Sequence, residues 1–363
     1  MPRRPQGDGR RSLSSVSRWL QRFSPKQTAQ APQLALVAAL AHLVGGERDL
    51  GEHWTEQADL AMSAAPSRAT PSLEAGVAVL RAAIARHGVE RMRDDAARAR
   101  ELEADDGPWR SLACQLEGTA RHLLGDAERA RALLREGSRR GLLAAPTVNA
   151  LCLAQLALLA CDAGDRHDGV AFAGRARAQV ERLRLSDVPT SLVLAVSALA
   201  KAGRRQLDAA RGDAVAATRL LERGVDVAPW YEAEVSVVLA RVMVALGDVA
   251  GARTLLENAD AAVRSAPDAT VLVRWLDEAR AEIDAYTSRT GPAAASLTTA
   301  ELRVLRVLPT HLSFREMGSR LAILPNTVKS QAHAVYRKLD VSSRSEAVAR
   351  AQELGLLDRR AAA

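Results

Sequence analysis

S-F-R-E-M-G-S-R-L-A-I-L-P-N-T-V-K-S-Q-A-H-A-V-Y-R-K, residues Ser313 to Lys338, sets two short amphipathic helices end to end across a tight connection. Ser313 and Glu316 stand three apart, the spacing of a capping box, so a helix starts there with Phe314, Met317, Leu321 and Ile323 facing inward. Ala322-Ile323-Leu324-Pro325 carries the turn, and Pro325 suits the first turn of the next helix, where its missing N–H costs little. Val328, Ala332, Val335 and Leu339 then form an apolar stripe, and the opposite face offers Lys329, Ser330, His333, Arg337 and Lys338. The same logic works outward. Thr298 and Glu301 make a capping box before Leu302, Leu305, Val307 and Leu308, a helix that Pro309 ends. Ser343 and Glu346 make a third before Ala347, Val348, Ala351 and Leu354, a helix that stops at Gly355.

Two helices joined by a tight turn, the second basic on one face, are the build of a helix-turn-helix, whose second helix enters the DNA major groove. L-T-x-x-E, S-F-R-E-M, N-T-V-K-S-Q and Y-R-K-L-D-V-S-S-R-S-E-A-V, in that order over residues 296–357, resemble the LuxR/GerE-type DNA-binding domain. The resemblance implies a core of three helices plus a fourth that supplies a homodimer contact, with double-stranded DNA as the partner. It places Lys329, Ser330 and His333 at base edges and Thr327, Arg337 and Lys338 at phosphates. One position departs: the family commonly has Ser where this chain has Leu324. A missing hydroxyl cap costs about 1 kcal/mol unless Asn326 or Thr327 caps a helix that starts one or two residues later.

Charge supports a division of labour. Residues 292–363 hold 11 Lys and Arg against 6 Asp and Glu, residues 1–26 hold 7 against 1, and residues 27–291 hold 32 against 36. Positive charge therefore sits at the two ends, and a basic C-terminal region suits phosphate neutralisation. Only four of the 50 basic residues are lysines, and Lys329 and Lys338 fall in the proposed recognition helix. Cys114, Cys152 and Cys161 form no C-x-x-C pair and lie in apolar helical sequence, which predicts buried free thiols in a reducing compartment. No apolar run reaches the ~18–20 residues of a spanning helix, and Arg10-Arg11 is not followed by an apolar stretch of an export signal. The expected location is cytoplasmic, with no membrane partner.

The long middle carries a recurring pattern. Ala39 leads to Gly46-Glu47, Gly51 and Ala58; Gly118 to Gly125-Asp126, Ala130, Leu134 and Gly137. Ala157 leads to Gly164-Asp165, Gly169, Ala173 and Ala176; Ala240 to Gly247-Asp248, Ala252, Leu256 and Ala259. Small residues let two helix axes approach closely, and the Gly before an acidic residue supplies the turn between them. Weaker units fit Leu80 to Leu102 and Val196 to Leu221, giving six helical hairpins at roughly 40-residue spacing, stacked into a superhelix with a concave inner surface. This resembles the tetratricopeptide repeat with most aromatic positions replaced. The expected fold is all-α: 1–15 a disordered basic tail, 16–285 the TPR-like repeat domain, 286–296 a linker, 297–357 the helix-turn-helix domain and 358–363 a tail. A repeat array before a LuxR-type domain resembles the MalT-like regulators, in which an ATP-hydrolysing module precedes the array. No G-x-x-x-x-G-K-[ST] loop occurs, so that module is expected to be absent, with no cofactor.

These features predict a sequence-specific transcriptional regulator whose repeat domain receives a protein or small-molecule effector or mediates oligomerisation. The alternative is a TPR-like interaction scaffold with a vestigial DNA-binding domain. No enzyme is expected: His42, His53, His87, His122 and His167 are scattered without metal-type pairing or a partner nucleophile. Trp230-Tyr231 can line a ligand surface, but packing between hairpins is the favoured reading.

Overall fold

The computed structural model describes Val16 and residues 18–224, 226–290, 297–354 and 356–357. The segments read as tails, 1–15 and 358–363, Gly355, and 291–296 of the expected linker lie outside the described residues. The fold is all-α. Among the described residues there is no strand, only an isolated bridge between Glu47 and Asp226. Among the described residues no helix is long and apolar enough to cross a membrane. Packing divides the chain into two compact units, Met1–Val238 with Ala259–Arg274, and Leu239–Asn258 with Trp275–Ala363.

A short helix, α1 (Pro25–Gln30), precedes a succession of helix pairs. These are α2 (Pro32–Gly45) with α3 (Arg48–Ala64), α4 (Pro71–Ile84) with α5 (Gly88–Leu102), α6 (Arg110–Leu123) with α7 (Ala127–Ala144), α8 (Pro146–Asp162) with α9 (Arg166–Leu183), and α10 (Thr190–Gly203) with α11 (Leu207–Leu221). Then come α12 (Pro229–Leu246), α13 (Val249–Val263) and α14 (Thr270–Thr290), so the expected linker begins inside α14. Partners pack antiparallel along the chain from α2 to α11, and the first helices of successive pairs also pack on one another, forming an inner layer. The turns follow the sequence pattern. Gly125 and Gly164 adopt left-handed backbone with φ 91° and 77°, ending one helix. The next residue starts another: Asp126 accepts the Arg129 N–H and Asp165 the Asp168 N–H. In the weaker unit at α10–α11 Arg205 takes the left-handed position instead (φ 61°), and Gln206 caps without a side-chain bond. That is why the Gly-acid signature is missing there. The small residues of the pattern lie inside: Ala39, Ala157, Ala240, Ala130 and Ala176 are buried.

The first unit turns back on itself. The Asp226 N–H donates to Gly46 O at 2.8 Å, and the Arg48 N–H donates to Asp226 O at 2.9 Å. The Asp226 carboxylate accepts the Asp49 N–H at 2.8 Å and lies 3.2 Å from the Arg48 guanidinium. A second closure joins the Glu90 N–H to Asp268 Oδ2 at 2.7 Å. One thiol expectation needs correcting. Cys114 and Cys152 are buried, and burial pushes the Cys114 thiol up to about 12, but Cys161 is exposed. It sits in the last turn of α8, where the inward apolar run has rotated to the outside.

In the second unit the last four helices are α15 (Thr299–Val307), α16 (Phe314–Leu321), α17 (Pro325–Leu339) and α18 (Arg344–Glu353). They enclose one core of Leu297, Leu302, Leu305, Met317, Val328, Val335 and their neighbours.

Candidate nucleic-acid interface

Two capping boxes form as the sequence predicts. Thr298 Oγ1 accepts the Glu301 N–H while Glu301 returns the bond to the Thr298 N–H, and Ser313 with Glu316 does the same. Those bonds hold the Glu316 carboxyl below the usual range. The third box is displaced. Ser343 Oγ accepts the Glu346 N–H, but the Glu346 carboxylate accepts the Ser342 N–H and hydroxyl rather than the Ser343 N–H. Two adjacent serines compete for one carboxylate, and the outer one holds it.

The turn between α16 and α17 rests on two residues. Ala322 ends α16 in left-handed backbone with φ 55°, and the Ile323 N–H reaches back to Gly318 O at 3.0 Å. Gly318 leaves room for this: a Cβ there would sit 2.8 Å from Ile323 O and 3.3 Å from Pro325 N. Helix α17 starts at Pro325 with Leu324 as its N-cap and no side-chain cap bond, so neither Asn326 nor Thr327 rescues the lost hydroxyl. Leu324 is 73% exposed, and the first N–H groups of α17, at the positive end of the helix dipole, have no side-chain cap.

Val328, Ala332, Val335 and Leu339 are buried as the stripe predicts. Lys329, Ser330, His333 and Arg337 are exposed together on the other side. Their steps of one, three and four residues hold them on one face over about two turns. Ser330 Oγ donates to Thr327 O at 3.0 Å, and the His333 ring stands edge-on to Tyr336 at 5.8 Å between centroids, which restrains both side chains. Thr327 is half-buried. Lys338 is placed differently. It is half-buried, with Nζ 2.7 Å from Glu301 Oε2.

Sequence reasoning missed two supports. Arg344 donates to Leu308 O and Leu312 O, each at 2.8 Å, and to Thr310 O, fixing the start of α18 to the loop before α16. Arg303 donates to Leu321 O at 2.9 Å, bracing the end of α16. A basic residue beside a loop carries no local signature for either role. Elsewhere in this unit the Arg306 guanidinium donates to Leu246 O at 3.0 Å, a contact made by α15. Among the described residues no three His, Cys, Asp or Glu side chains are grouped to hold a metal ion.

Residues 295–351 match the family of bacterial regulatory proteins of the luxR type (GerE). No curated protein matches the chain. The C-terminal helices are thus a LuxR-type helix-turn-helix domain, with α16 and α17 as its two central helices.

Proposed function

We propose that this chain is a sequence-specific transcriptional regulator that docks α17 in the major groove of duplex DNA. The observation that carries the reading is the LuxR-type match over a folded core whose α17 presents Lys329, Ser330, His333 and Arg337 on one open face. In this reading Lys329, Ser330 and His333 meet base edges, where a bidentate lysine or a hydroxyl can discriminate base pairs. Thr327 and Arg337 hold phosphate, helped by the uncapped N–H groups at the start of α17. Lys338 reaches phosphate only by leaving Glu301. Two copies bind one operator through α18, and the helical array, TPR-like and similar to that of MalT-like regulators, receives the signal. The cytoplasm is the compartment where such a protein meets its DNA.

The test is selection of genomic fragments by the purified chain, followed by mobility-shift titration of the best fragment. Wild type is expected to retain one set of related sequences and Lys329→Ala to bind them more weakly. Retention of fragments without any shared sequence, or equal binding by the variant, would remove the proposed interface.

A further inference from the structure

The inner layer of the first unit encloses a cavity of about 130 Å³, open at its mouth. One water needs about 10–15 Å³ of such space, so the cavity has room for far more than a single water. Its wall comes from α2, α4, α6, α8, α10, the start of α12 and the two loops that close the unit. Most of the wall is aliphatic. Leu40, Leu43 and Val44, one face of α2, are only half-buried although they lie inside the ring of helices. Packed interiors leave few voids larger than a water, so an apolar stripe facing unfilled space asks for an occupant.

The polar groups in the wall define that occupant. Arg48 and Asp226 pair at 3.2 Å and cancel in charge. Gln155 is fully engaged, its Nε2 donating to Glu234 at 2.8 Å and its Oε1 lying 3.1 Å from His122 Nδ1. The Tyr231 hydroxyl is engaged too, donating to Pro189 O at 2.7 Å and accepting the Leu192 N–H at 3.1 Å. Two lining residues keep buried polar atoms without a partner: the indole N–H of Trp230 and the Nε–H of Arg48. Both are donors. A buried donor without an acceptor is disfavoured, and an acceptor that reaches either atom as the wall adjusts around a ligand would relieve it.

We propose that this cavity binds an uncharged, largely apolar small molecule carrying a hydrogen-bond acceptor such as a ketone or ester oxygen. The neutral wall disfavours a charged ligand, and the two spare donors select an acceptor. A helical peptide, about 10–12 Å across with its side chains, needs a groove open along its length, whereas the Gly46–Asp226 hydrogen bonds bound this space. As the place where the array receives its signal, the assignment rests on the regulator reading above; as a binding site it does not.

Prodan, a neutral naphthalene with a single ketone, serves as the probe, added to the full chain. Saturable binding of one equivalent with blue-shifted emission is expected. Trp230→Phe keeps an aromatic ring at the wall and removes the donor, so it should weaken binding about fivefold. Leu112→Trp projects a ring into the cavity and should abolish binding, with circular dichroism showing that the helices persist. Absence of a saturable site, or binding that neither substitution alters, would overturn the proposal and leave the space to a polypeptide or to nothing. Anisotropy of a selected duplex supplies the second readout. A probe-dependent change in DNA affinity that Leu112→Trp removes supports the signalling role, and no change overturns that role. A chain that takes up the probe but binds no duplex overturns the regulator reading alone.

Discussion

Lys338 Nζ and the Thr298 N–H converge on one oxygen of Glu301, each at 2.7 Å. The carboxylate that caps the first helix of the DNA-binding unit therefore also clamps the far end of α17. Glu301 is 7% exposed, so removing its cation leaves a buried carboxylate short of a partner. Lys338→Met should cost roughly 1–3 kcal/mol locally, less than a fully buried pair, because Lys338 keeps some access to water. Hydrogen exchange across α15 and α17 in the full chain would show it as faster exchange in both. Unchanged protection, with a salt slope of DNA binding reduced by about one, would make Lys338 a phosphate contact instead.

Lys329 and Arg337 share a face of α17 but should fail differently. Lys329→Ala is expected to relax preference at one base position by about 1–3 kcal/mol, whereas Arg337→Ala should weaken all duplexes alike and lower the salt slope by about one. Competition titrations against single-base operator variants at two salt concentrations separate the two. Identical profiles for both variants would refute the split into base and phosphate roles.

Gly318→Ala would push a methyl against Ile323 O and Pro325 N, both backbone atoms that cannot swing aside. A cost of roughly 1–3 kcal/mol is expected, concentrated in the turn, with weaker DNA binding because α17 shifts relative to α16. A variant with wild-type hydrogen exchange in 314–339 would show that the turn has slack.

Glu234 lies fully buried against Gln155, which links it to His122, and burial raises its carboxyl to about 7. His122 in turn stands 3.4 Å from Asp162, which pairs with Arg274 at 2.7 Å. The folded state binds this proton more tightly than the unfolded chain does, so stability from Glu234 is full below the unfolded value near 4.5 and falls as pH rises through about 7. Glu234→Gln should flatten that fall, by on the order of 3 kcal/mol at the alkaline end. Urea unfolding at pH 5.5 and 8.5 followed by circular dichroism measures it; parallel pH dependence in variant and wild type would reject the assignment.

Signals confined to neighbouring residues were legible in the sequence. Thr298-x-x-Glu301 and Ser313-x-x-Glu316 announce helix starts because both partners of the bond lie within one turn. The stripe from Val328 to Leu339 announces the buried side of α17, and the Gly-Asp pairs announce hairpin turns, because backbone geometry alone requires them. The supports of the DNA-binding unit were not legible. Arg344 and Arg303 reach carbonyls 18 to 36 residues away, and nothing in an arginine's immediate neighbours records that. The roles of Trp230 and Tyr231 were half legible. The Tyr231 hydroxyl does fasten adjacent helices, as packing predicts, but the space beside Trp230 depends on curvature accumulated over five helix pairs.

That curvature has a consequence for how the first unit melts. A stack in which each pair touched only its neighbours could fray from either end, one pair at a time. Here the Asp226 carboxylate and the Asp49 N–H, 177 residues apart, are fastened together, so the ends brace each other. Loss of any pair between them breaks the hoop, which replaces piecemeal fraying with a single cooperative transition.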